Sequence, residues 1–139
     1  MIASQHDVTL HLAHLEDGVL GYYEPTEARV YFTFGLTPVE ERAVIAHELG
    51  HVVHGHECGN DRNEREADTW AAQLLIDATA YAEAERHSHS VHDLADALEV
   101  TEDLVVHYRT HCMQRLGRRT YGRQARGRFT NAIARGLSG

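Results

Sequence analysis

The sequence predicts an α+β fold, with a short β-sheet near the N-terminus followed by a run of helices. Three observations carry this prediction. Arg29–Phe34 is a dense run of β-formers behind a proline-containing turn. Residues 43–56 are apolar nearly all round and follow a helix-start signal. From Asn63 onward, apolar residues recur at helical spacing. With 139 residues and 42% hydrophobic content, the chain is long enough for one domain with a real core, or one domain with a small appendage.

Taken in order, Gln5–Leu15 reads as a weak helix, with Val8, Leu12 and Leu15 at helical spacing. Asp17-Gly18 signals a turn, and Val19–Tyr23 reads as a strand. Glu24-Pro25-Thr26-Glu27 turns the chain into the strand Arg29–Phe34, so the two strands form a hairpin that ends at Gly35. Thr37-Pro38-Val39-Glu40 combines a capping threonine, a proline suited to the first helical position and a glutamate that completes a capping box. The helix that follows ends at Gly55 and the Cys58-Gly59-Asn60 stretch. A second helix is expected over Asn63–Arg86, with Ala67, Trp70, Ala71, Leu74, Ala78 and Tyr81 as its apolar stripe. His87–Ser90 is a polar break. Val91–Leu98 is a short helix, and Thr101–Leu116 is another, capped by Thr101. These elements suggest a core over residues 1–88, a helical subdomain over 89–116 packed on it, and an Arg/Gly-rich tail over 117–139.

Charge is unevenly placed. Residues 1–103 hold all 21 acids and five arginines, a net charge of −16, whereas residues 104–139 hold eight arginines and no acid. A basic tail on an acidic body fits self-neutralisation, or a charged partner such as nucleic acid, which is not the favoured reading. Two cysteines, Cys58 and Cys112, make no disulfide framework. There is no apolar run of membrane-spanning length and no signal-peptide pattern, so the expected location is cytoplasmic, with no membrane partner.

The chemistry concentrates at His47-Glu48-Leu49-Gly50-His51. Histidines four apart stand one turn above each other on one helix face, where two neutral imidazoles can hold one zinc ion. Glu48 points about 100° away around the helix, placed to take a proton from an attacking water. It is also the only formally charged residue between Arg42 and Glu57, and a lone acid in a buried helix needs a reason.

A catalytic zinc site needs a third protein ligand. Both Glu64 and Glu66 lie on the next helix. With Glu64 taken as 0°, Glu66 lies at about 200° and the apolar stripe near 300°. Glu64 therefore flanks the buried stripe, whereas Glu66 faces solvent with Arg62 and Gln73. Asp68, one turn after Glu64, can accept a hydrogen bond from the free ring nitrogen of a ligating histidine. Two rivals are weaker. Glu57 has the six-residue spacing of metzincin-type ligands, but His54 occupies the position where that pattern needs glycine. His54 shares the helix face of His47 and His51; its favoured role is packing or hydrogen bonding nearby, with lining the site as the alternative.

Ile45-Ala46-His47-Glu48-Leu49-Gly50-His51, followed by Glu64-Arg65-Glu66-Ala67-Asp68-Thr69-Trp70-Ala71-Ala72-Gln73-Leu74-Leu75, resembles the ImmA/IrrE family of metallopeptidases. Asp68 stands where that family typically has Asn, Trp70 where it has Phe, and Asp77 where it has Pro. The resemblance implies a small zincin-like (gluzincin) fold in which His47, His51 and Glu64 bind Zn2+ and Glu48 is the general base. Characterised members cleave helix-turn-helix repressors, which implies regulated proteolysis of such a substrate here. His87, His89, His92 and Tyr108 are candidates for an oxyanion donor. Strand Arg29–Phe34 is a candidate to pair with an extended substrate.

A second class of function competes with this one. Residues 93–106 resemble a helix-turn-helix and, with the arginine tail, suggest a DNA-binding or repressor-binding regulator whose zinc site is inactive or structural. Glu102 and Asp103 at the start of the would-be recognition helix argue against DNA, because acids there repel phosphate.

Overall fold

In the computed structural model of the chain, the described residues are 5–56 and 59–113. Glu57, Cys58 and the basic tail lie outside them. Strands β1 (Thr9–Ala13), β2 (Gly21–Glu24) and β3 (Arg29–Thr33) precede helices α1 (Pro38–His54), α2 (Asp61–Leu75), α3 (Ala78–Glu85), α4 (Val91–Leu98) and α5 (Glu102–His107). A π-helical turn, Tyr108–Met113, follows α5.

The hairpin forms as expected, with β2 antiparallel to β3 and Tyr22 opposite Tyr31. The N-terminal segment differs. It is not a helix but strand β1, parallel to β3 with Leu10 opposite Val30. Thr9-Leu10-His11-Leu12-Ala13 is short enough to fit either period, and the hydrogen bonds offered by β3 decide it. This pairing makes β3 the central strand, in the order β1-β3-β2. Arg29–Thr33 therefore has no free edge for a substrate. The available edge near the site is β2.

Helix α1 starts as its sequence dictates. Thr37 Oγ1 accepts from the Glu40 N–H at 3.2 Å, and Glu40 Oε1 accepts from the Thr37 N–H at 2.9 Å. It ends where Gly55 adopts φ 68°, a left-handed conformation that glycine takes without strain. Asn60 caps α2 through the Asn63 N–H. The single helix expected over Asn63–Arg86 is instead broken at Ile76-Asp77. Ile76 is extended, and Asp77 Oδ2 accepts from the Ala80 N–H at 2.9 Å, which caps a new helix, α3. Asp77 thus punctuates the chain where the resembling family places proline.

One apolar core joins these parts. Ala46 and Leu49 of α1 meet Trp70, Ala71 and Leu74 of α2, together with Tyr81, Leu94, Leu104, Val105 and Tyr108 from the later helices. Val91–Leu98 is helical as expected, and Thr101 caps α5 through the Leu104 N–H at 3.2 Å. Between them Glu99 takes the left-handed conformation, φ 55° and ψ 47°, and its carbonyl accepts from Arg42 Nη2 at 2.9 Å. That bond ties the α4–α5 turn to α1.

Candidate metal centre

Helix α1 presents His47 and His51 one turn apart, with their rings edge-on at 4.9 Å. Helix α2 packs against it closely enough that a Cβ on Gly50 would lie 2.9 Å from the Ala67 Cα. Ala67 is one turn beyond Glu64, so this close approach brings Glu64 over the histidines. Glu64 Oε2 lies 2.7 Å from His47 Nε2 and 2.9 Å from His51 Nε2. The ligand atoms of these three residues all lie within 4.8 Å of one another, so the group can hold one metal ion. Two imidazole nitrogens and a carboxylate oxygen are a donor set typical of catalytic zinc.

Asp68 stands where helical spacing puts it, with Oδ1 2.7 Å from His47 Nδ1. Burial opposes charge on His47. The hydrogen bond to Asp68 and the carboxylates of Glu48, Asp68 and Glu64 outweigh it and raise the ring to about 9. A metal ion must therefore displace a proton from His47. For His51, burial dominates and lowers the ring, with His47 and His56 adding to the effect against the carboxylate of Glu64.

Glu48 is 8% exposed. Burial drives its carboxyl up to about 7, helped by the charges of Glu64 and Asp68 and opposed by His47. Its neighbour on strand β2 is Gly21, where a Cβ would lie 2.5 Å from Val44 Cγ1 and 3.2 Å from Glu48 Cγ. Only glycine lets β2 pass this close to the helix.

Two cavities flank the centre and share Gly21, Glu48 and Glu64. One, about 580 Å³, runs along β2 and the Pro25-Thr26 turn to His51 and His56. The other, about 640 Å³, lies between α1 and the later helices and is lined by His47, Asp68, Leu104 and His107.

Several residues fall differently from the sequence-based expectation. Of the two roles open to His54, the nearby hydrogen bond forms, from Nδ1 to the Gly50 carbonyl at 2.8 Å, and the side chain lines neither cavity. Glu66 does not simply face solvent; besides Arg62 at 3.3 Å it has His56 Nε2 at 3.8 Å and His54 Nε2 at 3.9 Å. His87, His89 and His92 have exposed side chains, and Tyr108 is buried against Tyr81, so none of the four lines either cavity. His107 does, with its Nε2 2.8 Å from Thr69 Oγ1. Burial lowers its pKa, and His111 adds to the effect. Nothing local in the sequence marks His107, because it reaches the site only through the packing of α5 on α2.

Among the described residues, no helix is long and apolar enough to cross a membrane. A comparison with curated proteins found no match. Residues 3–110 match the family model described as the IrrE N-terminal-like domain, Peptidase_M78, and the chain belongs to that family, the ImmA/IrrE metallopeptidases.

Proposed function

We propose that the chain is a zinc-dependent endopeptidase that cleaves a helix-turn-helix repressor in regulated proteolysis. One observation carries the reading. The buried carboxyl of Glu48 opens onto both cavities beside His47, His51 and Glu64, whose ligand atoms lie within 4.8 Å of one another. A general base must stand within reach of the proton it takes.

His47, His51 and Glu64 hold the metal, and Asp68 orients His47. Zinc, when bound, polarises the scissile carbonyl and makes water a better nucleophile near neutral pH. Glu48 takes the proton from the attacking water and passes it to the leaving amine. His107, on the wall of the larger cavity, supplies a donor toward the developing oxyanion. An extended peptide adds to the edge of β2, which lines the smaller cavity. An extended linker between folded parts of a repressor suits that edge, and the repressor as substrate follows the family resemblance. Glu102 and Asp103, exposed at the start of α5, support this reading over a DNA reader.

The test is incubation of the purified chain with the repressor encoded beside its gene, with zinc or with chelator. Cleavage by wild type, lost with chelator, restored by zinc and absent in Glu48→Gln, is expected. Cleavage by Glu48→Gln would overturn the role of Glu48. Salt-dependent DNA binding with no metal requirement, and no cleavage, would favour the regulator instead.

A further inference from the structure

His51 has a partner that no ligand motif announces. Its Nδ1 lies 2.9 Å from His56 Nδ1, while its Nε2 faces Glu64. The His56 backbone N–H also donates to the His51 carbonyl at 2.9 Å, so the turn at Gly55 folds His56 back over the helix end. The His56 side chain is 9% exposed, and its Nε2 lies 3.8 Å from Glu66 Oε2.

Two ring nitrogens at hydrogen-bond distance share one proton, and the rest of the chain of contacts fixes where it sits. A metal ligand at His51 Nε2 needs that lone pair free, so the His51 proton is on Nδ1. Nδ1–H then donates to the lone pair of His56 Nδ1. His56 must carry its own proton on Nε2, on the side of the Glu66 carboxylate. Each tautomer forces the next.

We infer that His56 is the positioning residue for His51, fixing its tautomer and ring orientation. The inference rests on His51 being a metal ligand. It makes the two ligand histidines unequal: His47 leans on a carboxylate, and His51 on a neutral imidazole.

The experiment measures zinc affinity against a competing chromogenic chelator. His56→Phe keeps the ring volume but removes the acceptor, and should weaken zinc binding about 10–100-fold. His56→Asn returns an oxygen to the position of Nδ1 and should recover most of that loss. Long-range 1H–15N NMR of the zinc-loaded wild type should show His51 protonated at Nδ1 and His56 at Nε2. Wild-type affinity in His56→Phe, or His56 protonated at Nδ1, overturns the inference. If His56→Phe fails to fold, the Asn variant and the NMR tautomers decide it. His51→Ala separates the two levels: retained zinc there refutes His51 as a ligand, whereas lost zinc there with intact binding in His56→Phe refutes only His56.

Discussion

A Cβ on Gly50 would lie 2.9 Å from both the Cα and the carbonyl oxygen of Ala67, so α1 and α2 touch backbone to backbone at this point. The contact is the pivot of the candidate metal centre. His47 and His51 flank Gly50 on α1, and Glu64 stands one turn before Ala67 on α2. Gly50→Ala would gain helix propensity, but it must part the helices, because the obstructing atoms are backbone. A net loss of about 1–3 kcal/mol in denaturant unfolding is expected, together with weaker zinc binding as Glu64 is carried away from the histidines. A variant as stable as wild type would show that the contact is not the constraint described.

Asp68 and His47 supply a second test. The oxygen that accepts from His47 Nδ1 at 2.7 Å need not belong to a carboxylate. Asp68→Asn should retain most of the zinc affinity, because an amide oxygen accepts the same hydrogen bond, whereas Asp68→Ala should lose about 10–100-fold in a chelator competition. Equal affinities for the Ala variant and wild type would remove Asp68 from the site.

The buried carboxyl of Glu48 predicts a pH-dependent stability difference in chelator-treated protein. Its pKa, about 7, is raised above the ordinary 4.5, so the folded chain holds this proton longer than the unfolded chain does. Its contribution is fully present below pH 4.5, and it declines as pH rises through 7 and the buried group ionises. Glu48→Gln has no such charge. Relative to wild type it should gain on the order of 2 kcal/mol at pH 8 and little at pH 4.5, read from paired unfolding curves. The same difference at both pH values would contradict the shift.

Glu99 is held left-handed in the turn before α5, a conformation that costs a residue with a Cβ about 1 kcal/mol or more. Its carbonyl accepts from Arg42 and its N–H donates to the Asp96 carbonyl at 3.3 Å, backbone groups that any non-proline residue keeps. Glu99→Gly should therefore stabilise the chain by about 1 kcal/mol, raising the melting temperature. A fall in melting temperature would show that the Glu99 side chain has a role.

What could be read from the sequence was what local geometry determines. The Thr37/Glu40 box, the one-turn spacing of His47 and His51, and the side of α2 carrying Glu64 and Asp68 follow from helical periodicity, and all appear in the structure. Strand β1 did not follow, because five residues fit two periods and β3 settles the matter from twenty residues away. The central position of β3 is a matter of strand order, to which a hairpin pattern is blind. Asp77 falls inside the helix expected over Asn63–Arg86, and its capping bond to Ala80 is what divides that helix in two. His56 and His107 were hidden for one reason: their direction depends on the left-handed turn at Gly55 and on the docking of α5, not on a repeat.

The central claim, one metal held by His47, His51 and Glu64, is tested most directly by zinc content after saturation and removal of excess metal. Wild type and Glu66→Ala should each carry about one zinc per chain, and Glu64→Ala close to none. Full zinc in Glu64→Ala, or none in wild type, would contradict it.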